Sequence, residues 1–510
     1  MKRQLLIRVL LCAFMVAASA QTLLGQDTDE VEQGIKAYGT YRGGDFDSIS
    51  MTSGNLTIDA PLISWPQRGK LHLGYMLNYA RPNFKQTTRC LIDTCTVHVV
   101  RTNPMFLGIQ GVSDRGFSTS TTTITETGTQ VQFGYTSLVG PDGSSHVMAQ
   151  ISPTLSESVD GTGLFRNPTT GVVYDADGIK YLATGMLEDS NGNQITGGKD
   201  SVGRTVGSPP LWSAANGLGT CPTGALPVTT KGTWTEPGPN GGTSTFVSCW
   251  AKVSVIFDWD ITDGTHTSTN ETRLQSIVLP NGTAWMFQYS TDGYGDLTQI
   301  TLPTGGTISY TWIEGSSCSG LEIGPRQVAS RTVNANDGTG NHTWTYTYNG
   351  STTVIDPLGN KTVYTNTALS LCSSYTTSIQ YYQGTSTLLK TVSTQYSRTA
   401  GPYAPSLGQN YINIVPNQIT TTWPNGKVSQ VTKTYDSGFT FTSPRYNDST
   451  QYTGLYGKVT IEKDYDYGNN GPGSLLKQIN TSYAWQSPNP NYSSYLANNM
   501  INLVYSVNGT

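Results

Sequence analysis

The sequence predicts an all-β protein, an N-terminal antiparallel β region followed by a spiral of β-hairpins. Three observations carry that expectation. The 510 residues include 56 Gly and 29 Tyr but only 13% charged residues, and Thr and Ser are abundant, a composition of many short strands joined by turns. LQSIVLPNGTAWMFQYS and LTQITLPTGGTISYTWI then align without a gap at an offset of 23 residues, so that Leu274, Ile277, Leu279, Pro280 and Gly282 match Leu297, Ile300, Leu302, Pro303 and Gly305. Finally, apolar residues alternate on either side of each Pro-x-Gly corner, which gives every hairpin one apolar and one polar face. A lone hairpin is marginal in water, so such units must pair side by side to bury the apolar face.

The chain begins with a leader. Lys2, Arg3 and Arg8 precede an apolar run over residues 9–18, and Ala18-Ser19-Ala20 supplies a small-residue cleavage site, with a second after Gly25. The run is too short to span a membrane, so no transmembrane span is expected and the protein is expected to be secreted, extracellular or at the cell surface. Removing the leader takes the net charge from −4 to about −7. Without basic runs or aromatic–basic interleaving, nucleic acid is not an expected partner.

The elements follow in order. Residues 27–206 form an N-terminal β domain. Within it Leu71, Leu73, Tyr75, Leu77 and Tyr79 point one way while His72, Gly74, Met76 and Asn78 point the other, and Pro66-Gln67-Arg68-Gly69 turns the chain just before. Strands at 131–135 and 147–151 flank Pro141-Asp142-Gly143, and those at 172–174 and 179–182 flank Asp175-Ala176-Asp177-Gly178. Residues 207–272 read as an inserted loop-rich segment and a connecting strand. The stretches 207–224 and 233–242 are Pro-, Gly- and Asn-rich loops, and Val253, Val255, Phe257 and Trp259 pattern a strand. Residues 273–510 are degenerate repeats, within which TLLKTVSTQY and SLLKQINTSY duplicate each other at an offset of 87.

Six cysteines follow the leader: Cys90, Cys95, Cys221, Cys249, Cys318 and Cys372. An even number in an exported chain points to disulfides, and neighbour pairing (90–95, 221–249, 318–372) is the simplest of fifteen arrangements. The rival is a metal site of Cys90, Cys95 and His98, which lacks a fourth ligand at zinc spacing. No cofactor or metal is expected.

Asp258, Asp260 and Asp263 in FDWDITDG are the carboxylates a glycosidase would use, although Asp260 to Gly264 reads better as a polar turn. Asp189, Asn191, Asn193 and Asp200 have part of a calcium-loop spacing, but Gln194 stands where glycine is required. Trp285, Trp312 and Trp344 are candidates for stacking on sugars. Alternating aromatics are more often cross-strand core pairs. No histidine lies in a catalytic motif, so no catalytic residue is assigned.

The LPNG-x-x-W-x-F-x-Y hairpin, the corner Asp356-Pro357-Leu358-Gly359-Asn360, Tyr435-Asp436 and the doubled LLK-x-x-x-x-x-Y together resemble the Rhs or YD-repeat family. The entry segment SGNLTIDAPLISWPQRGKLHLGYMLNY is similar to the start of long bacterial members. The resemblance implies a β-shell, often enclosing a C-terminal toxin, and adhesion in animal relatives. It departs from the family in lacking the terminal core with its self-cleaving aspartate. The one Asp-Pro-x-Gly, at Asp356, reads as a turn. The expectation is thus an exported, non-enzymatic scaffold, part of a polymorphic-toxin or cell-surface system and incomplete as a shell. Its partners would be further Rhs repeats or toxin cargo in the same or another chain. The alternative is an adhesin or carbohydrate-binding protein with glycans as partners.

Overall fold

The computed structural model describes residues 34–80, 84–91, 94–101, 106–111, 116–126, 129–182, 185–206, 220–238, 241–315, 326–370, 373–402, 411–443 and 448–509. The expected leader, Cys318 and Cys372 lie outside them. The described chain is all-β, with one short helix at Tyr492–Ala497.

Three sheets account for nearly every strand. Tyr41–Gly43, Asp47–Ser50, Leu56–Trp65, Leu73–Ala80 and Phe106–Gly111 form a five-stranded sheet. Ten strands from Gly116–Glu126 to Lys199–Asp200 pair strictly in sequence as a ribbon, and its last six strands have only two or three residues each. The largest sheet has nineteen strands. From Val228–Pro237 onward its strands pair with their sequence neighbours, except that Lys427–Tyr435 joins Val459–Asn469 directly and leaves the small hairpin Phe439–Thr442/Gln451–Gly454 aside. The hairpin of Phe84–Leu91 and Thr94–Arg101 attaches where His98, Val99 and Val100 pair with Asp260, Trp259 and Asp258.

One corner recurs through the ribbon and the large sheet. In the first copy of the duplication Leu279 N–H donates to Thr283 O and Gly282 N–H to Leu279 O, at 2.8 and 2.9 Å; in the second copy Leu302 and Gly306, then Gly305 and Leu302, repeat both bonds at 2.8 Å. The fourth residue has positive φ, +85° at Gly282 and +87° at Gly305, which glycine adopts without a Cβ penalty. Asp175, Asp189, Asp200, Asp356 and Trp423 open the same five-residue corner. Where aspartate opens it, the carboxylate accepts the N–H groups two and four residues on, as Asp356 does from Leu358 and Asn360 at 2.9 and 2.8 Å. The Asp-Pro-x-Gly at Asp356 is therefore a turn.

A second device ties neighbouring strands. The hydroxyls of Tyr289, Tyr348, Tyr396, Tyr435 and Tyr483 donate to the carbonyls of Leu274, Val328, Thr376, Pro416 and Val459, each on the preceding strand. Trp312 Nε1 does the same to Leu297 O at 2.8 Å. At Tyr289, Trp312, Tyr396, Tyr435 and Tyr483 the register shifts by a bulge. A bulge disrupts the ladder locally, and the aromatic donor supplies a tie across the pair beside it.

The main core lies between the five-stranded sheet and the first half of the large one. Ile49, Leu56, Ile58, Leu77 and Tyr79 pack in one cluster with Leu274, Ile277, Leu297, Ile300 and Val328, all at most 1% exposed. A buried ion pair pins the two sheets together: Arg331 holds Asp47 through Nε–Oδ2 at 2.5 Å and Nη2–Oδ1 at 2.8 Å, and Tyr310 donates to Asp47 Oδ2 at 2.8 Å. The bidentate fork and third donor satisfy a carboxylate that would otherwise be costly to bury. A second core joins Ala149, Val159 and Ala176 of the ribbon to Phe441, Tyr456, Trp485 and Ile501.

One expectation needs correction. Residues 233–237 are not a loop but the end of strand Val228–Pro237, paired with Thr243–Asp260; Trp234 faces inward and packs on Tyr75 and Phe246, and that burial outweighs the loop-like composition. The Thr-rich stretch Gly116–Glu126 pairs along its whole length with Thr129–Val139.

Candidate functional site

The residues singled out in the sequence fall in different places. Cys221 and Cys249 form a disulfide, which ties the incoming segment to the buried side of strand Thr243–Asp260. Cys90 and Cys95 stand opposite each other in backbone register; their side chains lie outside the described residues. Trp285 is half-buried and meets Phe46 edge-on at 5.5 Å. Trp344 lies 5.2 Å from the Arg331 guanidinium, and Trp312 makes the backbone tie described above. All three pack against the main core.

The turn carboxylates are likewise engaged. Asp189 Oδ1 accepts Asn191 and Asn193 N–H, both at 2.9 Å, while Oδ2 takes Asn193 Nδ2 and Lys70 N–H. Asp260 accepts Thr262 N–H and Asp263 accepts Thr265 N–H, which makes 260–264 a corner. His98 of the attached hairpin reaches this strand, with Nδ1 2.9 Å from Asp258 Oδ1 and Nε2 3.5 Å from Asp260 Oδ2. Among the described residues no group of three or more His, Cys, Asp and Glu has an arrangement suited to a metal ion.

One constellation was not visible in the sequence. Ser144 Oγ lies 2.9 Å from His146 Nε2, and His146 Nδ1 lies 2.6 Å from Asp160 Oδ2. Burial would push the Asp160 carboxyl up, but the charge and hydrogen bond of His146, with bonds from Thr162, hold it below its ordinary value. The Ser144 hydroxyl, however, donates to Asp142 Oδ1 at 2.6 Å, so Nε2 is the donor toward Ser144. A serine nucleophile needs the reverse polarity, with its proton passing to the ring. Ser144 is also 5% exposed and covered by the chain at Gly34. The group braces the 140–144 corner against the strand end at Asp160. Its only sequence signal was the spacing of Ser144 and His146 on one strand face.

One open site among the described residues is a groove of about 1040 Å³ between the five-stranded sheet and the ribbon corners, large among small-ligand sites. Its base is the turn 66–70 between strands Leu56–Trp65 and Leu73–Ala80, which the ribbon holds: Lys70 N–H bonds Asp189, Lys70 Nζ meets Asp177 Oδ1 at 2.8 Å, and Arg204 Nη2 donates to Pro66 O. Trp65, edge-on to Tyr75 at 5.9 Å, and Tyr181, whose hydroxyl donates to Asp175, supply aromatic wall. Asp59 lies deeper; burial, then the charge of Asp142, push its carboxyl up to about 6 against the opposing bond from Asn78. Asp45 and His72 are exposed on the lining.

These features define a class: an all-β protein in which a long antiparallel hairpin sheet closes over an N-terminal sheet. The chain matches no model of a known protein family, and no curated protein is significantly similar to it in sequence. Among the described residues no helix is long and apolar enough to cross a membrane.

Proposed function

We propose that this chain is an exported, non-enzymatic β-scaffold of Rhs/YD-repeat type, one wall of a polymorphic-toxin or cell-surface assembly. The observation that supports this most is the unbroken pairing from Val228–Pro237 to Val504–Gly509, apart from the bypassed small hairpin, with its first half sealed onto the N-terminal sheet by Asp47 and Arg331. Such a body is stiff because neighbouring strands share ladder bonds, corner bonds and aromatic ties. Its partners in this reading are further hairpin repeats or a toxin segment, in the same or another chain.

The test is protection. Any polypeptide encoded in continuity with this chain, or beside it, is produced with and without residues 34–509 and exposed to protease. Enclosure predicts a slower cleavage rate with the scaffold present, and loss of that protection with Asp47→Ala. Equal cleavage in all three samples would overturn the scaffold reading.

A further inference from the structure

We infer that the groove between turn 66–70 and the ribbon corners is a binding site for a neutral oligosaccharide. The inference goes beyond the scaffold reading and moves sugar recognition away from Trp285, Trp312 and Trp344. Those three rings are committed to Phe46, to a backbone carbonyl and to Arg331. Trp65 and Tyr181 also pack, on Tyr75 and Asp175, but part of each lines the groove.

The chemistry of the lining selects the class of ligand. A cation would use only acceptors and an anion only donors. Here Asp45, Asp59, Asp175 and Asp177 offer acceptors, the remaining hydrogens of Lys70 Nζ (beside Asp177) and Gln67 Nε2 (bonded to Trp65 O) offer donors, and His72 can serve as either. A sugar hydroxyl both donates and accepts, and the C–H face of its ring suits an aromatic wall. An open groove of this volume, as opposed to an enclosed cavity, fits several linked rings. The ribbon contributes to the site because its corners at Asp177, Asp189 and Arg204 hold the turn that forms the groove's base. The short strands of this part of the ribbon thereby gain a role: the corners between them at Asp177, Asp189 and Arg204 brace the base of the groove.

The experiment is isothermal titration of the full chain with cellohexaose, maltohexaose and chitohexaose, and with spermidine and inorganic phosphate as charged controls. At least one oligosaccharide should bind, with affinity reduced tenfold or more by Trp65→Ala and less than twofold by Trp285→Ala. Trp65 also packs on Tyr75, so exposed Asp45→Ala and His72→Ala, which cannot empty a core, serve as second variants and should each weaken binding at least threefold. No binding by any of the three sugars, binding of spermidine or phosphate in their place, or sugar binding indifferent to Trp65, Asp45 and His72 would each overturn the assignment.

Discussion

The two internal duplications have the same alternating pattern and different fates. In the first, Leu274, Ile277, Leu297 and Ile300 are at most 1% exposed beneath the N-terminal sheet. In the second, Leu389 is 47% exposed, and Leu475 and Leu476 are 45% and 62% exposed. Their tyrosines nevertheless behave alike: Tyr289, Tyr396 and Tyr483 each tie back to the preceding strand. The difference shows that a hairpin repeat builds its ladder from its own residues but needs another layer to make a core. Exposed apolar side chains continue onto the next strand at Val504, Tyr505 and Val507, so the uncovered surface is contiguous with the last hairpin.

The comparison can be broken most directly at the seal. Asp47→Ala leaves Arg331 buried without its partner and should cost about 3–5 kcal/mol, read as a fall in the urea midpoint. A loss under 1 kcal/mol would mean that the covering sheet is not held by this pair. Truncating the seam itself comes next. Ile300→Ala should cost about 2–5 kcal/mol, whereas Leu476→Ala, on a side chain already mostly in water, should stay within about 0.5 kcal/mol. Equal losses at the two sites would remove the distinction between covered and uncovered hairpins.

The covered half should also carry a pH signature. Asp296, between the two copies, is raised to about 6 from 3.8, by burial first and against the charge of Arg326. Between those values the folded chain keeps a proton that the unfolded chain has released, so this group's stabilising contribution falls as pH rises from about 4 to about 6. Asp296→Asn should therefore gain stability relative to the parent across that window, by at most about 3 kcal/mol. Parallel stability curves for the two proteins would show that Asp296 does not titrate differently on folding. The smallest effect is expected at the ties. Tyr396→Phe removes one hydroxyl bond, to Thr376 O at 3.1 Å, and should cost about 1 kcal/mol; faster exchange of amides around the neighbouring bulge would locate the loss.

Much of the fold was legible because it is local. Corners were marked by Gly282, Gly305 and Gly359 at positions that need positive φ, and alternation marked strands wherever one face is buried. Neighbour pairing of cysteines held for Cys221 and Cys249. Strand Val228–Pro237 was hidden because its inward residues, Trp234 and Glu236, lie more than 150 positions from Tyr75 in sequence, and because prolines and glycines dominate its flanks. The groove was less legible still. Trp65 read as the residue before a turn and His72 as one on the polar face of a strand, and Tyr181 and Asp177 as parts of a distant corner; nothing in either stretch says that they face the same channel.

By itself, then, the sequence determined the secondary structure of the repeats, since period-two alternation and glycine corners act through bonds and sterics a few residues apart. Tertiary structure decided which apolar faces are covered, through a sheet formed from residues far upstream and an ion pair between Asp47 and Arg331. It also decided that an open groove lies beside that sheet. Burial depends on what lies opposite a strand, and the alternation within a strand carries no record of its partner across the core.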